Sequence, residues 1–203
     1  MKLYYSPGAC SQASHIALHE SGLPFTSVLA STKTHQLADG SDYYRINPLG
    51  YVPLLELPDG STLTEGPAIM QYIADQAAPG LLAPAPGSMP RYRLQSWLNF
   101  IATELHKGGF SPLFNAAAPA AFKEVVAQRL LARLAWVDQQ LADRDHLLGA
   151  QFSVADAYLF VVASWAPRVQ LDISALSRLQ ALCQRVAARP AVQATLRAEG
   201  LLA

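Results

Sequence analysis

The chain has 203 residues, 51% hydrophobic and 15% charged, with 15 Lys and Arg balanced by 15 Asp and Glu for a formal net charge of zero. That is enough apolar material for one large or two small domains. The balanced charge supplies no field to gather nucleic acid or an anionic membrane surface, so neither is expected as a partner.

In chain order, Lys2–Tyr5 is a short β-prone run ending at Pro7-Gly8, and a helical pattern begins directly after Cys10, over Ser11–Ser21, stopped by Gly22. The thiol therefore stands at a helix N-terminus, where unpaired N–H groups and the helix dipole favour thiolate. Such settings bring a cysteine pKa from about 8.5 toward about 3.5–7.5. A small buried hydrophobe is the other role a free cysteine takes, and position alone leaves both readings open. Phe25–Ala30 reads as a second strand, followed by a polar helix ending near Asn47-Pro48. Next come Leu54–Leu57, an Asp59-Gly60 hairpin signal, Ser61–Leu63 and a helix from Pro67 to about Ala77. Strand–helix–strand order implies a parallel crossover and the Asp-Gly turn an antiparallel hairpin, so a thioredoxin-like βαβαββα domain with a mixed sheet is predicted.

Pro and Gly then dominate up to Gly87, which reads as a linker, and from Ser88 the pattern is helical throughout. The predicted organisation is α/β plus all-α, with domains at 1–78 and 88–203 and a linker at 79–87. Ser153-Val154-Ala155-Asp156 is a capping-box pattern opening a segment with almost no polar face, the predicted buried central helix. Cys10 and Cys183 lie far apart without CxxC or metal spacing, so neither a disulfide framework nor a metal is expected. No apolar run approaches the roughly 20 residues that span a bilayer, and Met1 reads straight into a strand without a leader pattern. A cytoplasmic setting is the expectation.

Three further groups could carry chemistry. Val52-Pro53 precedes an apolar strand, where a cis peptide would present the Val52 N–H and C=O to an extended peptide, although only about 5–6% of X–Pro bonds are cis. Thr64-Glu65-Gly66-Pro67 opens a helix. There the Gly66 and Ala68 N–H groups could meet a carboxylate and Glu65 an ammonium, as an α-amino acid head requires; an isolated Glu in this place otherwise complements the dipole. Asn99, Thr103 and His106, spaced i, i+4, i+7 on a helix from Met89 to Lys107, form a polar stripe separate from the apolar Leu94, Leu98, Ile101 and Leu105. His106 could orient or deprotonate a thiol, or simply sit at a helix C-terminus.

Taken together, Ser6-Pro7-Gly8-Ala9-Cys10-Ser11, Asn47-Pro48 with Val52-Pro53, Leu63-Thr64-Glu65-Gly66-Pro67-Ala68-Ile69, Thr103-Glu104-Leu105-His106-Lys107 and Ser153-Val154-Ala155-Asp156-Ala157-Tyr158-Leu159-Phe160 resemble the bacterial beta-class glutathione S-transferases over nearly the whole chain. A cysteine at this position separates that class from relatives that use tyrosine or serine. The chain also resembles the subgroup associated with aromatic and chlorinated-aromatic degradation, some members of which remove halogen reductively with glutathione.

The resemblance implies a homodimer that uses glutathione as co-substrate, needs no other cofactor, and acts on a small hydrophobic or aromatic electrophile. Cys10 would contact or reversibly bond the glutathione sulfur, Val52 would pair with the cysteinyl backbone, and Glu65 and Gly66 would hold the γ-glutamyl head. Asn99, Thr103, Glu104 and His106 would complete the set from the helical domain, with Glu104 reaching a neighbouring subunit, and Phe110–Phe114 and Trp165 would line the electrophile site. Where the family usually has lysine for the glycyl carboxylate, this chain has His35, with Lys33 two residues earlier. A neutral imidazole is a weaker anion partner, so glutathione binding is expected to weaken as His35 loses its proton. Gly108-Gly109 stands where the family has one small residue. Two other activities fit the same residues: a thiol-disulfide reductase or reductive dehalogenase working through a Cys10 mixed disulfide, and a non-catalytic binding or regulatory protein on the same fold.

Overall fold

The Lys2–Tyr5 run forms strand β1, and in the computed structural model, which describes residues 1–202, it lies inside a four-stranded sheet. β2 (Thr26–Leu29) pairs with it in parallel, β3 (Leu54–Glu56) pairs with its other edge antiparallel, and β4 (Thr62–Thr64) pairs antiparallel with β3, for an order β2-β1-β3-β4. The hairpin turns at Asp59-Gly60, where Gly60 has φ +84° and the Asp59 carboxylate accepts from the Ser61 N–H and hydroxyl at 2.9 and 2.6 Å.

Register places Leu3 opposite Leu55 and Tyr4 opposite Leu54. Because side chains alternate along a strand, the two pairs occupy opposite faces. Helices α1 (Ser11–Ser21) and α2 (Gly66–Gln76) pack on each other and on the sheet, burying Ile16, Leu18, Ile69 and Ile73. Each such side chain contributes about 1.5–3 kcal/mol, which secures the helix that begins behind Cys10. Tyr4 and Leu54 build a second cluster with Ala30, Tyr43 and Val52.

The polar helix expected before Asn47-Pro48 is replaced by a loop and a single 3₁₀ turn, Tyr43–Arg45, whose cap Asp42 accepts from the Tyr44 N–H at 2.9 Å. Local chemistry explains the difference. His35 and Gly40 adopt φ of +54° and +81°, which no right-handed helix accommodates, and Asp39 closes a turn on Ser41.

Residues Pro84–Ala188 form a second, helical unit. It contains α3 (Met89–Phe100), a ten-residue π-helix (Ile101–Phe110), α4 (Ser111–Phe114), α5 (Ala120–Gln140), α6 (Val154–Ala163) and α7 (Ser177–Ala187). α6 is buried along almost its whole length, and its Ser153–Asp156 capping box is formed as the sequence predicts. The last helix, α8 (Pro190–Ala198), differs from the sequence grouping: residues 189–202 belong with Met1–Ala83, where α8 packs on α1 and Arg189 donates two hydrogen bonds to the Glu20 carboxylate. Among the described residues no helix is long and apolar enough to cross a membrane.

Candidate functional site

Cys10 is the N-cap residue of α1, with φ −59° and ψ −24°. Its Sγ donates to the Val52 carbonyl at 3.3 Å, a contact that uses the S–H proton. Val52 is buried, and the Val52-Pro53 peptide is cis. Asn47 and Tyr43 hold the preceding turn through the Tyr51 carbonyl, which accepts from the Asn47 side-chain amide at 2.7 Å and the Tyr43 hydroxyl at 2.9 Å.

Pro53 in turn lies beside Gly66, 3.8 Å from where a Cβ would stand. Glu65 is exposed with φ +66° and ψ +112°, a conformation that costs a non-glycine residue of order 1–3 kcal/mol and is characteristic of functional positions. Its carbonyl accepts from the Ala68 and Ile69 N–H groups, both at 3.0 Å. The Ala68 donor proposed for a ligand carboxylate is therefore used within the helix.

His35 stacks on Tyr44 with ring centroids 4.5 Å apart. A Cβ on Gly50 would fall 2.7 Å from the His35 Nδ1 and from Tyr44, so glycine at that position makes room for the stack, and the positive φ of Gly50 suits it. The His35 Nδ1 is buried without a hydrogen-bond partner, while Lys33 is exposed. Cys10 thus touches Val52, and Pro53, the next residue, lies against Gly66, while the ring of His35 is fixed near Gly50, two residues before Val52.

In the second unit the helix does not end near Lys107. From Ile101 its turns widen into π geometry, and the Ser111 N–H bonds to the His106 carbonyl, one residue farther than in an α-helix. Gly108-Gly109 is the reason this fits. A Cβ at Gly108 would come within 2.6 Å of the Thr103 carbonyl oxygen, and one at Gly109 within 2.7 Å of Leu130.

The wider turn separates residues that an α-helical stripe would align. Asn99 and Thr103 are exposed, with the Thr103 hydroxyl donating to the Asn99 carbonyl at 2.9 Å, whereas His106 is buried. Glu104 is held by Arg133 of α5 at 3.0 Å. The apolar stripe is as predicted: Leu94, Leu98, Ile101 and Leu105 are all buried.

The His106 Nδ1 lies 2.8 Å from the Tyr158 hydroxyl, and its ring meets Trp165 edge-on at 5.0 Å. Phe110 and Phe114 also pack against Trp165. Burial, and secondarily the Lys107 ammonium, lower the His106 pKa to about 4, so the ring is neutral near pH 7 and exchanges hydrogen bonds rather than carrying charge. Tyr158 is a partner that the sequence reading did not single out. Its only signal is a hydroxyl on the apolar α6, where a buried phenol needs a hydrogen-bond partner.

Family models for the glutathione S-transferase N-terminal and C-terminal domains match residues 8–76 and 101–190. The chain is similar to glutathione S-transferase GstA of Escherichia coli O157:H7, at 49% identity over 99% of this chain and 100% of that protein. It is similar to the bacterial beta-class glutathione S-transferase of Sphingomonas chungbukensis, at 46% identity and a TM-score of 0.94 over all of both chains. It is likewise similar to a sphingomonad glutathione S-transferase solved in complex with glutathione, at 48% identity and a TM-score of 0.94, covering 99% of this chain and 100% of that one.

Proposed function

This chain belongs to the glutathione S-transferase family, in its bacterial beta class, and on that premise we propose that it conjugates reduced glutathione to small hydrophobic or aromatic electrophiles with Cys10 at the glutathione sulfur. The observation that carries the reading is the Cys10 Sγ resting on the Val52 carbonyl beside the strained Glu65-Gly66 helix start. In one surface this offers a sulfur contact, an extended backbone edge and a helix N-terminus suited to the γ-glutamyl head. In this reading His35 meets the glycyl carboxylate, and the helical unit Pro84–Ala188 contributes Asn99, Thr103, Glu104 and His106 to glutathione and the Phe110, Phe114 and Trp165 rings to the electrophile. The reaction passes the glutathione thiol proton to solvent or buffer, joins its sulfur to the electrophilic carbon and expels the leaving group with its electron pair. As a neutral ring, His106 assists by hydrogen bonding. The same reading includes a homodimer and a cytoplasmic setting.

The test is turnover of a chlorodinitrobenzene by the full chain, together with retention on immobilised glutathione. Saturable, glutathione-dependent formation of the thioether is expected. Retention without turnover of any electrophile or disulfide would instead support a binding role.

A further inference from the structure

A carboxylate at a helix C-terminus opposes the helix dipole, yet Glu199 caps α8 there with its side chain wholly removed from water. Helix stability does not account for it, and a buried carboxylate without partners is costly. Its partners do account for it. The Oε2 atom accepts from the Gly8 N–H and from the Gln12 side-chain amide, both at 2.9 Å, and Oε1 lies 2.9 Å from the His15 Nδ1. These partners surround Cys10 along the chain: Gly8 precedes it by two residues, Gln12 follows by two, and His15 is on the next turn of α1. The His15 ring is itself fixed among Tyr5, His19 and Phe25, with centroids 5.0, 5.1 and 5.7 Å away. Gly8 has φ +65°, and the loop is closed again where the Ser6 N–H bonds to the Ser11 hydroxyl at 3.1 Å.

We propose that Glu199 is the positioning residue for Cys10: from the end of α8 it ties the loop before the thiol to the helix after it, and so sets where the sulfur stands against Val52. The proposal rests on the glutathione reading only for its consequence in turnover, since the placement itself concerns the thiol.

The test is the second-order reaction of the native chain with a dipyridyl disulfide. The Cys10 thiolate bonds to one sulfur and displaces a thiopyridone whose absorbance reports the rate. Cys183 is half-buried and burial pushes its thiol up to about 12, so its thiolate is scarce, and the rate of Cys10→Ala is subtracted to remove its share. Glu199→Ala is expected to slow the reaction at least about fivefold at a temperature where its circular dichroism is native, because small misplacements of a reacting group are amplified in rate. Glu199→Gln is expected to stay within about twofold: its amide oxygen can accept from Gly8 and Gln12 while its NH₂ faces the other tautomer of His15. A lowered melting temperature with an unchanged rate in Glu199→Ala would make Glu199 structural only. Equal acceleration in both variants would mean that its charge governs the thiol, not its placement. Should Glu199→Ala fail to fold, Gln12→Ala removes a single arm and is expected to slow the reaction measurably; an unchanged rate there overturns the proposal. Wild-type chain that reacts at Cys10 but never conjugates glutathione would defeat the proposed function while leaving this comparison decisive.

Discussion

Asp156 in the helical unit and Glu199 in the sheet-bearing unit are both carboxylates removed from water and both take three partners, but they find them at different distances along the chain. Asp156 accepts from the Leu147 N–H, the Ser153 N–H and the Ser153 hydroxyl, all at 2.8 Å and all within nine residues. Glu199 reaches partners 184 to 191 residues away. The first arrangement is a local motif that starts a helix. The second is a tertiary clamp that acts on a loop beside a reactive group, and only the second is expected to couple to the thiol.

The largest expected effect is on stability, at Asp156. Asp156→Ala leaves two buried N–H groups and a hydroxyl without an acceptor, at a cost of about 3–5 kcal/mol. The three tryptophans, Trp97, Trp136 and Trp165, all lie in the helical unit, so urea unfolding followed by their fluorescence measures the loss. The rate of Cys10 with a disulfide should be unaltered in folded Asp156→Ala, and a slowed thiol would erase the distinction between the two carboxylates.

Acid sharpens the picture in the same unit. The folded pKa of His106, about 4, lies below the ordinary value of about 6.5, so the unfolded chain binds the proton first. Its contribution is intact above about pH 6.5 and is lost as pH falls toward 4, up to about 3 kcal/mol. Unfolding free energies between pH 7 and 4 should decline less steeply in His106→Gln; an identical decline would mean that His106 is not the group held neutral.

A smaller effect separates π from α geometry. Alanine ordinarily stabilises a helix by about 1 kcal/mol over glycine, but Gly108→Ala pushes its methyl toward the Thr103 carbonyl and should destabilise by about 1–3 kcal/mol. A rise in melting temperature would show that the wide turns relax to α without penalty.

What was legible in the sequence follows the same division. The Asp59-Gly60 turn, the helix start after Cys10, the Ser153–Asp156 cap and the Leu94, Leu98, Ile101, Leu105 stripe are all local patterns, and each stands in the structure where its spacing placed it. The helix expected before Asn47 does not form because turns at Asp39 and Asp42 and the positive φ of His35 compete with it, and Leu37, Tyr43 and Ile46 reach the Tyr4 cluster from the loop without it. The π-helix was not legible either: periodicity assumes 3.6 residues per turn, so Asn99, Thr103 and His106 were placed on one stripe that the wider turns break up. Of the Gly108-Gly109 pair, the sequence displayed the glycines but not the Thr103 carbonyl and Leu130 that exclude a side chain. Glu199 left one trace, an acid at a helix end whose dipole disfavours it, and nothing nearby in sequence named its partners.

Whether Cys10 meets the glutathione sulfur is read by mass spectrometry of the intact chain and its peptides after exposure to glutathione disulfide. In that reaction the Cys10 thiolate takes one glutathionyl group and releases one glutathione thiolate. The wild-type chain is expected to gain a single glutathionyl group on the peptide containing Cys10, and Cys10→Ala none, while Cys10→Ala keeps its affinity for glutathione and much of its conjugation through the Val52 and Gly66 backbone. An adduct on Cys183, no adduct at all, or loss of all conjugation in Cys10→Ala would rule out this role for Cys10.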